Sequence, residues 1–325
     1  MDLNPTEDPE FASATAAIGP DRKGQRMQEA LVGLFPLMLP SRKSCRKAID
    51  RGEVLINGAP ASTAVRVKTG DRITLTMATQ APPTPLAGAP RTLMTERPQD
   101  ADYVVVWKPA GLATSGTGRL NLTRVLHHFC FHGDENMREQ LTPLRRDALA
   151  APQPVHRLDR ATAGWVCVAL TLKAAESLGA AFAERSVEKR YLALAAGDVN
   201  PGSSLSPLDG REAITHWTPI AHGPLPVHGT ATLLDIRIET GRTHQIRRHL
   251  AESGHPIVGE DRHATLDGGA ATVHRYSGHG LFLCAIDLRI PQGPHGPGLH
   301  VKGNPPRKFY RIGWAARALE DHGFG

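Results

Sequence analysis

Six apolar residues in a row, Trp165-Val166-Cys167-Val168-Ala169-Leu170, follow closely on a polar turn, Val155-His156-Arg157-Leu158-Asp159-Arg160-Ala161-Thr162-Ala163-Gly164. A continuous apolar run of this length, without alternation, predicts a strand buried inside a fold. Pro152 and Pro154 just upstream predict a loop. The chain thus sets one carboxylate, Asp159, between two arginines at the mouth of a buried strand. Guanidinium neighbours favour the ionised form of such a group. That suits a nucleophile or an ion-pair anchor better than a proton donor, and a plain surface ion pair at a strand entrance is the bland alternative.

Upstream, residues 1–24 mix Pro, Ala, Ser, Thr and acids without periodicity and are expected to form a loose tail. Met27, Ala30, Leu31, Leu34 and Phe35 recur at helical spacing and predict a first helix, stopped near Pro36. Ser41 is the expected N-cap of a second helix that runs through Arg51 and closes on Gly52. Arg42, Lys43, Arg46 and Lys47 fall along one side of it. Val54-Leu55-Ile56 runs into Asn57-Gly58, a hairpin turn signal, and Val65–Val67 and Asp71–Leu75 complete a small sheet. Residues 78–92 are rich in Pro and Ala, a semi-extended linker. The remainder, 93–325, is read as one larger domain.

That domain opens on a second buried strand, Tyr103–Trp107, followed by Lys108-Pro109-Ala110-Gly111-Leu112. Lys173 to Arg185 has the apolar stripe of an amphipathic helix. The alternation after Lys189 predicts a strand with Lys189 and Tyr191 on the same face. Thr232 to Glu239 alternates cleanly, as in a partly antiparallel sheet with one buried face, and leads into Thr240-Gly241-Arg242-Thr243-His244-Gln245-Ile246-Arg247-Arg248-His249. Thr243 is the expected cap of a helix ending near Gly254, with Arg248 and His249 on its solvated face. Leu281 to Pro291 is a last strand. The 325 residues carry 38 Lys and Arg against 32 Asp and Glu, a formal +6 that fits an anionic partner. The four cysteines lie far apart and the 16 histidines lack ligand spacing, so no metal is expected. No apolar run reaches the roughly 20 residues of a membrane span. The polar, acidic N-terminus does not have the form of a signal peptide, so a cytoplasmic protein is expected.

HRLDRATAG resembles the signature of the RluA-type pseudouridine synthases, with Ala163 where that family usually has Ser. KPAGL after a strand, K-x-Y at Lys189–Tyr191 and TGRTHQIR at 240–247 are similar to its other motifs, in the family's order. Departures are Trp107 in place of an Asn and Glu260 interposed in the Gly-Asp pair of the following loop. Residues 25–77 resemble an S4 domain, a small RNA-binding module. The resemblance implies an α+β fold: a mixed, largely antiparallel sheet in the catalytic domain behind a small N-terminal S4-like domain. It implies an isomerase that converts uridine to pseudouridine in RNA, with rRNA of the large subunit ahead of tRNA as substrate. It implies Asp159 as nucleophile, Arg247 as its partner and Tyr191 against the base. Arg157, Arg160, Lys189, His244, Gln245 and Leu281 are the expected substrate contacts, and Arg42, Lys43, Arg46 and Lys47 the expected RNA phosphate contacts. A redox-neutral isomerisation needs no cofactor, and no obligate protein partner is evident. An RNA-binding protein without catalysis is the alternative. A glycosidase would need two carboxylates flanking the bond, and the signatures hold one. Residues 262–280 and 292–325 carry no assigned role.

Overall fold

The computed structural model describes residues 11–32, 34–35, 39, 42–50, 52–78, 86–90, 92–116, 120–141, 148–225, 229–263 and 280–324. It divides the chain into two units, Met1–Pro85 and Leu86–Gly325. The first unit carries β1 (Phe11–Ala17), α1 (Met27–Ala30), α2 (Arg42–Asp50), β2 (Val54–Ile56), β3 (Ala59–Pro60) and β4 (Arg72–Ala78). Its strands lie in the order β1-β4-β2-β3, around a core that includes Met27, Leu31, Cys45, Ile49, Val54 and Ile73. Asn57 and Gly58 both adopt positive φ, 52° and 86°, as the two-residue hairpin turn requires. Asn57 also fixes the turn by donating to Asp71 and accepting from the Arg72 N–H. Gly52 closes α2 at φ 75°.

Three expectations are corrected here. The segment expected as a loose tail through residue 24 holds β1, paired with β4 from Phe11 opposite Ala78 to Ala17 opposite Arg72. The partner lies some sixty residues away, so local composition could not reveal it. Val65–Val67 is not a strand: Arg66 makes a single bridge to Arg26, although Val67 is buried. The first helix is one turn, α1. Ser41, Arg51 and the side chain of Lys43 lie outside the described residues.

The second unit opens with β5 (Thr95–Glu96), β6 (Tyr103–Lys108), α3 (Leu122–His132), α4 (Glu135–Leu141) and β7 (Ala148–Pro154). β8 (Ala163–Thr171), α5 (Leu172–Ala183), β9 (Glu188–Ala196), β10 (Gly202–Ser204), β11 (Thr215–Leu225) and β12 (Gly229–Ile238) follow. α6 (Gln245–Glu252), β13 (Leu283–Ile290), β14 (Leu299–Lys302) and α7 (Gly313–Asp321) complete it. One mixed sheet runs β10-β11-β12-β9-β13-β8-β6-β5, with β14 on β13 and β7 on β8. β8 and β13 pair in parallel and every other pair in this sheet is antiparallel. This is the α+β fold that the motifs implied.

β8 is buried at all nine positions, because both faces of the sheet are covered there. Val166, Val168 and Leu170 join the larger core, while Trp165, Cys167 and Ala169 face the cluster built with Ala174, Leu178 and Ala181 of α5. A strand covered on both faces has no polar side to alternate with. Residues 86–90 are not wholly a linker: Leu86 and Ala89 pack on the larger core, and the Leu86 N–H donates to His128. The C-terminal stretch also packs, with α7 burying Ala315 and Leu319 and Trp314 donating to Pro224 O.

Candidate active site

The turn that carries Asp159 is stitched to the loop after β6. Thr114 Oγ1 donates to Leu158 O and accepts from Leu158 N–H, and both residues are buried. Gly111 N–H donates to Arg160 O, while Arg160 Nε donates back to Gly111 O. Two motifs some fifty residues apart are thereby fixed as one platform. Behind it, Lys108 is fully buried and donates to Pro109 O and Leu112 O. Burial pushes its ammonium down to about 8, partly offset by Asp159.

α6 arrives from the other side. Thr243 does not cap it; the N-cap position is His244, in the left-handed region at φ 56°. The entry is held instead by Gln245, whose amide oxygen accepts from Thr240 Oγ1 and Arg242 N–H. Its amide nitrogen donates to Ile214 O and Thr215 Oγ1. A buried amide so engaged anchors the helix and keeps little bonding capacity for a substrate. Arg248 pairs with Asp209, as on a solvated face, but His249 is fully buried and bonds Thr215 and Ser206 O.

Asp159, Tyr191, Arg247, Arg157, His244 and Leu283 line one cavity. A groove of about 590 Å³ on the other side of Asp159, bordered by Arg160, Gly111 and Arg262, is within the size range of ligand sites. The structure therefore brings Asp159, Tyr191, Arg247, Arg157, Arg160 and His244 together. Lys189 lines an adjoining cavity that shares Arg157 and Tyr191. Leu281 is buried but is not in the wall; Leu283, the first residue of β13, takes that place.

Arg247 Nη1 stands 3.9 Å from Asp159 Oδ2, and His244 Nε2 lies at the same distance. The closer partner of Arg247 is Glu260, fully buried, which it grips with Nε at 2.7 Å and Nη2 at 2.6 Å. Asp261 accepts a third bond at 3.0 Å. The acid that looked interposed in the sequence is thus the clamp that aims Arg247. Burial alone would raise the Glu260 carboxyl, but Arg247 and the Arg262 N–H hold it below the usual range. Burial works to lower Arg247, and Glu260, Asp159 and Asp261 more than offset it. A desolvated pair of this kind is sensitive to loss of one partner, about 3–5 kcal/mol when broken.

His263 was not among the expected residues, since nothing in its neighbourhood repeats a motif. His244 Nδ1 and His263 Nε2 are 2.7 Å apart. Burial holds both imidazoles below the ordinary histidine range, so both are neutral near pH 7 and one donates to the other. If His244 donated, a bare Nε2 lone pair would face the Asp159 carboxylate. With the hydrogen on Nε2 of each ring, His263 donates to His244 and His244 presents N–H to Asp159.

Tyr191 is buried on β9, and desolvation, with the Asp159 charge, raises its phenol well above the ordinary value. It therefore stays protonated at physiological pH. Its ring is a flat wall and its hydroxyl a hydrogen-bond donor. A single carboxylate held open to a cavity by a guanidinium, an imidazole N–H and an aromatic wall can serve as a nucleophile toward an electron-poor carbon. Among the described residues no cluster of His, Cys, Asp or Glu could hold a metal ion, and no helix is long and apolar enough to cross a membrane.

The RNA pseudouridylate synthase family matches residues 102–252, and the S4 domain matches residues 37–73. Ribosomal large subunit pseudouridine synthase D of Xanthomonas campestris pv. campestris is 32% identical over 286 residues, covering 82% of this chain and 78% of that one. The protein of the same name from Escherichia coli O6:H1 is 29% identical over 268 residues, 76% of this chain and 74% of that one. Among solved structures, human RNA Pseudouridylate Synthase Domain Containing 4 has a TM-score of 0.50 at 22% identity, over 68% of this chain and 91% of that one, a likeness of fold. The chain belongs to the RluA-type RNA pseudouridine synthases and carries an N-terminal S4 RNA-binding domain.

Proposed function

We propose that this enzyme isomerises uridines of large-subunit ribosomal RNA, with Asp159 as the reacting carboxylate. The observation that carries the choice of Asp159 is its position: it borders both the Tyr191 cavity and the Arg160 groove, with Arg247 and His244 converging on one of its oxygens. The choice of rRNA is supported by the relatives named as synthases of the large ribosomal subunit, at about 30% identity.

In the reaction the N1–C1′ bond breaks and its electron pair stays with uracil. Asp159 either bonds to C1′ and is later expelled, or stabilises the sugar while C2′ loses a proton to give a glycal. Both routes use the same carboxylate. The base then turns and C5 bonds to C1′, with C2′ taking its proton back on the glycal route; the C5 proton departs and N1 regains one. A base in folded RNA must leave its stack to reach such a cavity, and Arg157, exposed at the rim, is placed to hold the flipped-out state. Tyr191 offers its ring to the base. Arg247, clamped by Glu260, keeps Asp159 oriented, and exposed cations of α2 supply RNA phosphate contacts.

The test is tritium release from RNA labelled at uracil C5, drawn from cells lacking the enzyme, with Asp159→Ala in parallel. Release by the wild type alone, confined to the large-subunit rRNA fraction, is the expected result. Equal release by both proteins would remove Asp159 from its role. Release from tRNA instead would replace the substrate. No release by folded protein that still binds RNA would leave an RNA-binding protein.

A further inference from the structure

Beside the Asp159 cavity lies a second one, of about 360 Å³, walled by Lys189, Phe182, His156, Arg157 and Arg242, with Tyr191 and Arg157 shared between the two. Its charge is one-sided. Arg185 and Glu239 also line it, but they are committed: Arg185 pairs with Glu212 and Glu239, and Glu239 binds His216 as well. Arg242 donates Nε to Glu212 O and keeps its other N–H groups. Lys189 is the least satisfied member. It is half-buried, and among the described residues its recorded contact is with a ring, Nζ lying 5.6 Å from the Phe182 centroid. Desolvation lowers its ammonium from the ordinary lysine range.

His156 adds a further donor. Its Nε2 accepts from the Cys167 N–H at 2.9 Å, and burial keeps the ring neutral, so the hydrogen sits on Nδ1. Phe182 stacks on it with centroids 4.5 Å apart. Among the described residues, the nitrogen groups left uncommitted in this cavity are therefore donors or cations. An ammonium held away from water without a counter-charge is costly, and a fixed set of donors of this kind fits an anionic oxygen.

We propose that this cavity is a phosphodiester subsite, in which Lys189 and Arg157 grip the backbone of a nucleotide adjoining the uridine that enters the Asp159 cavity. The subsite rests on the isomerase reading for its choice of RNA. Its role is to fix the strand so that the neighbouring uridine is presented in one register. Arg157, common to both cavities, spans from that phosphate to the reacting sugar.

Two readouts separate the subsite from the isomerase reading. The first needs no turnover: pyridoxal 5′-phosphate carries an aldehyde that condenses with an amine and a phosphate that seeks a cationic site. After borohydride reduction of the full-length protein, mass spectrometry is expected to find Lys189 labelled by pyridoxal 5′-phosphate about ten-fold more than the exposed Lys68 and Lys173, with protection by inorganic phosphate and by bulk rRNA. Labelling of Lys189 no greater than that of Lys68 and Lys173, or unchanged by phosphate, would overturn the subsite. The second uses the rRNA fragment that releases tritium, with one neutral methylphosphonate linkage placed in turn at each phosphate flanking the target. One position is expected to lower kcat/KM about ten-fold in the wild type and to have no further effect in Lys189→Met. Penalties that multiply at every position would overturn the proposal. If Lys189→Met does not fold, Arg157→Met is read against the same series, and multiplied penalties again count against it. Failure of the wild type to release tritium would instead remove the isomerase reading, and the first readout would still decide the subsite.

Discussion

At the scale of single residues, His156 couples acid to the fold. Buried against Phe182 and bonded to the Cys167 N–H, its imidazole is pushed down to about 3, against about 6.5 for a free histidine. Between those values the unfolded chain binds a proton that the folded chain refuses, so stability rises with pH across this window and is lost as pH falls. Glu260 has the same sign lower down, because its depressed carboxyl gives up its contribution only as acid approaches its folded value. Urea midpoints should therefore decline from pH 7 to pH 5, and His156→Gln should remove up to about 2 kcal/mol of that decline. A parallel decline in the variant would show that His156 is protonated in the fold. The His244–His263 pair predicts a kinetic effect. His263→Leu removes the donor that sets the His244 tautomer and should slow single-turnover tritium release about ten-fold, as loss of an orienting outer partner commonly does. His263→Gln keeps an N–H donor and should stay within about three-fold of wild type; equal losses in the two variants, at unchanged melting temperature, would refute the tautomer argument. Asp159 and Tyr191 were legible in the sequence because their motifs are contiguous. Glu260, His263 and Leu283 were not, since each acts through a neighbour that only the folded chain brings close.

At the scale of elements, the parallel pairing of β8 with β13 sets where the Asp159 carboxylate sits relative to Leu283. Cys284 faces Ala163 and Ala285 faces Gly164 in that short ladder. Gly164 makes it possible: it has φ +135°, and a Cβ there would lie 2.2 Å from Ala285 O. Gly164→Ala must therefore pry the strands apart as well as adopt a conformation that alanine disfavours. The expected loss is about 2–4 kcal/mol, the sum of overpacking and backbone strain, with tritium release falling further than stability because the Asp159 turn leads directly into β8. Chemical denaturation and single-turnover rates at a temperature where the variant is folded would test this; a loss under about 1 kcal/mol would mean the strands yield easily. The strands themselves were legible, since an unbroken apolar run of that length between turn signals fits a strand covered on both sides. The hydrogen-bonded reason that α6 begins at Gln245, rather than after a Thr243 cap, was not, because Ile214 and Thr215 supply two of the four bonds from some thirty residues away.

At the scale of the whole molecule, the chain separates into two units, one that holds the Asp159 cavity and one whose α2 carries exposed cations. The Pro- and Ala-rich stretch suggested a division in sequence, while the pairing of β1 with β4 was hidden by distance along the chain. The formal +6 of the chain says only that an anionic partner is welcome. α2 offers a place for one, since Arg42, Arg46 and Lys47 are exposed along it and among these Arg46 has a loose partner, Asp50 at 3.8 Å. Each cation that neutralises a phosphate releases condensed counterions, so the logarithm of RNA affinity should fall with the logarithm of salt by about 0.7 per contact on a single strand. Replacing Arg42, Arg46 and Lys47 together by Gln should flatten that slope by about 2 and weaken binding to rRNA fragments most at low salt. The rate at saturating RNA should hold, because none of the three lines the Asp159 cavity. A slope unchanged by the triple substitution would make this helix face a solvated surface, and the affinity would then have to come from the cations around Asp159. A fall in the saturated rate at unchanged slope would mean that the S4 unit acts on the chemistry rather than on capture of the strand.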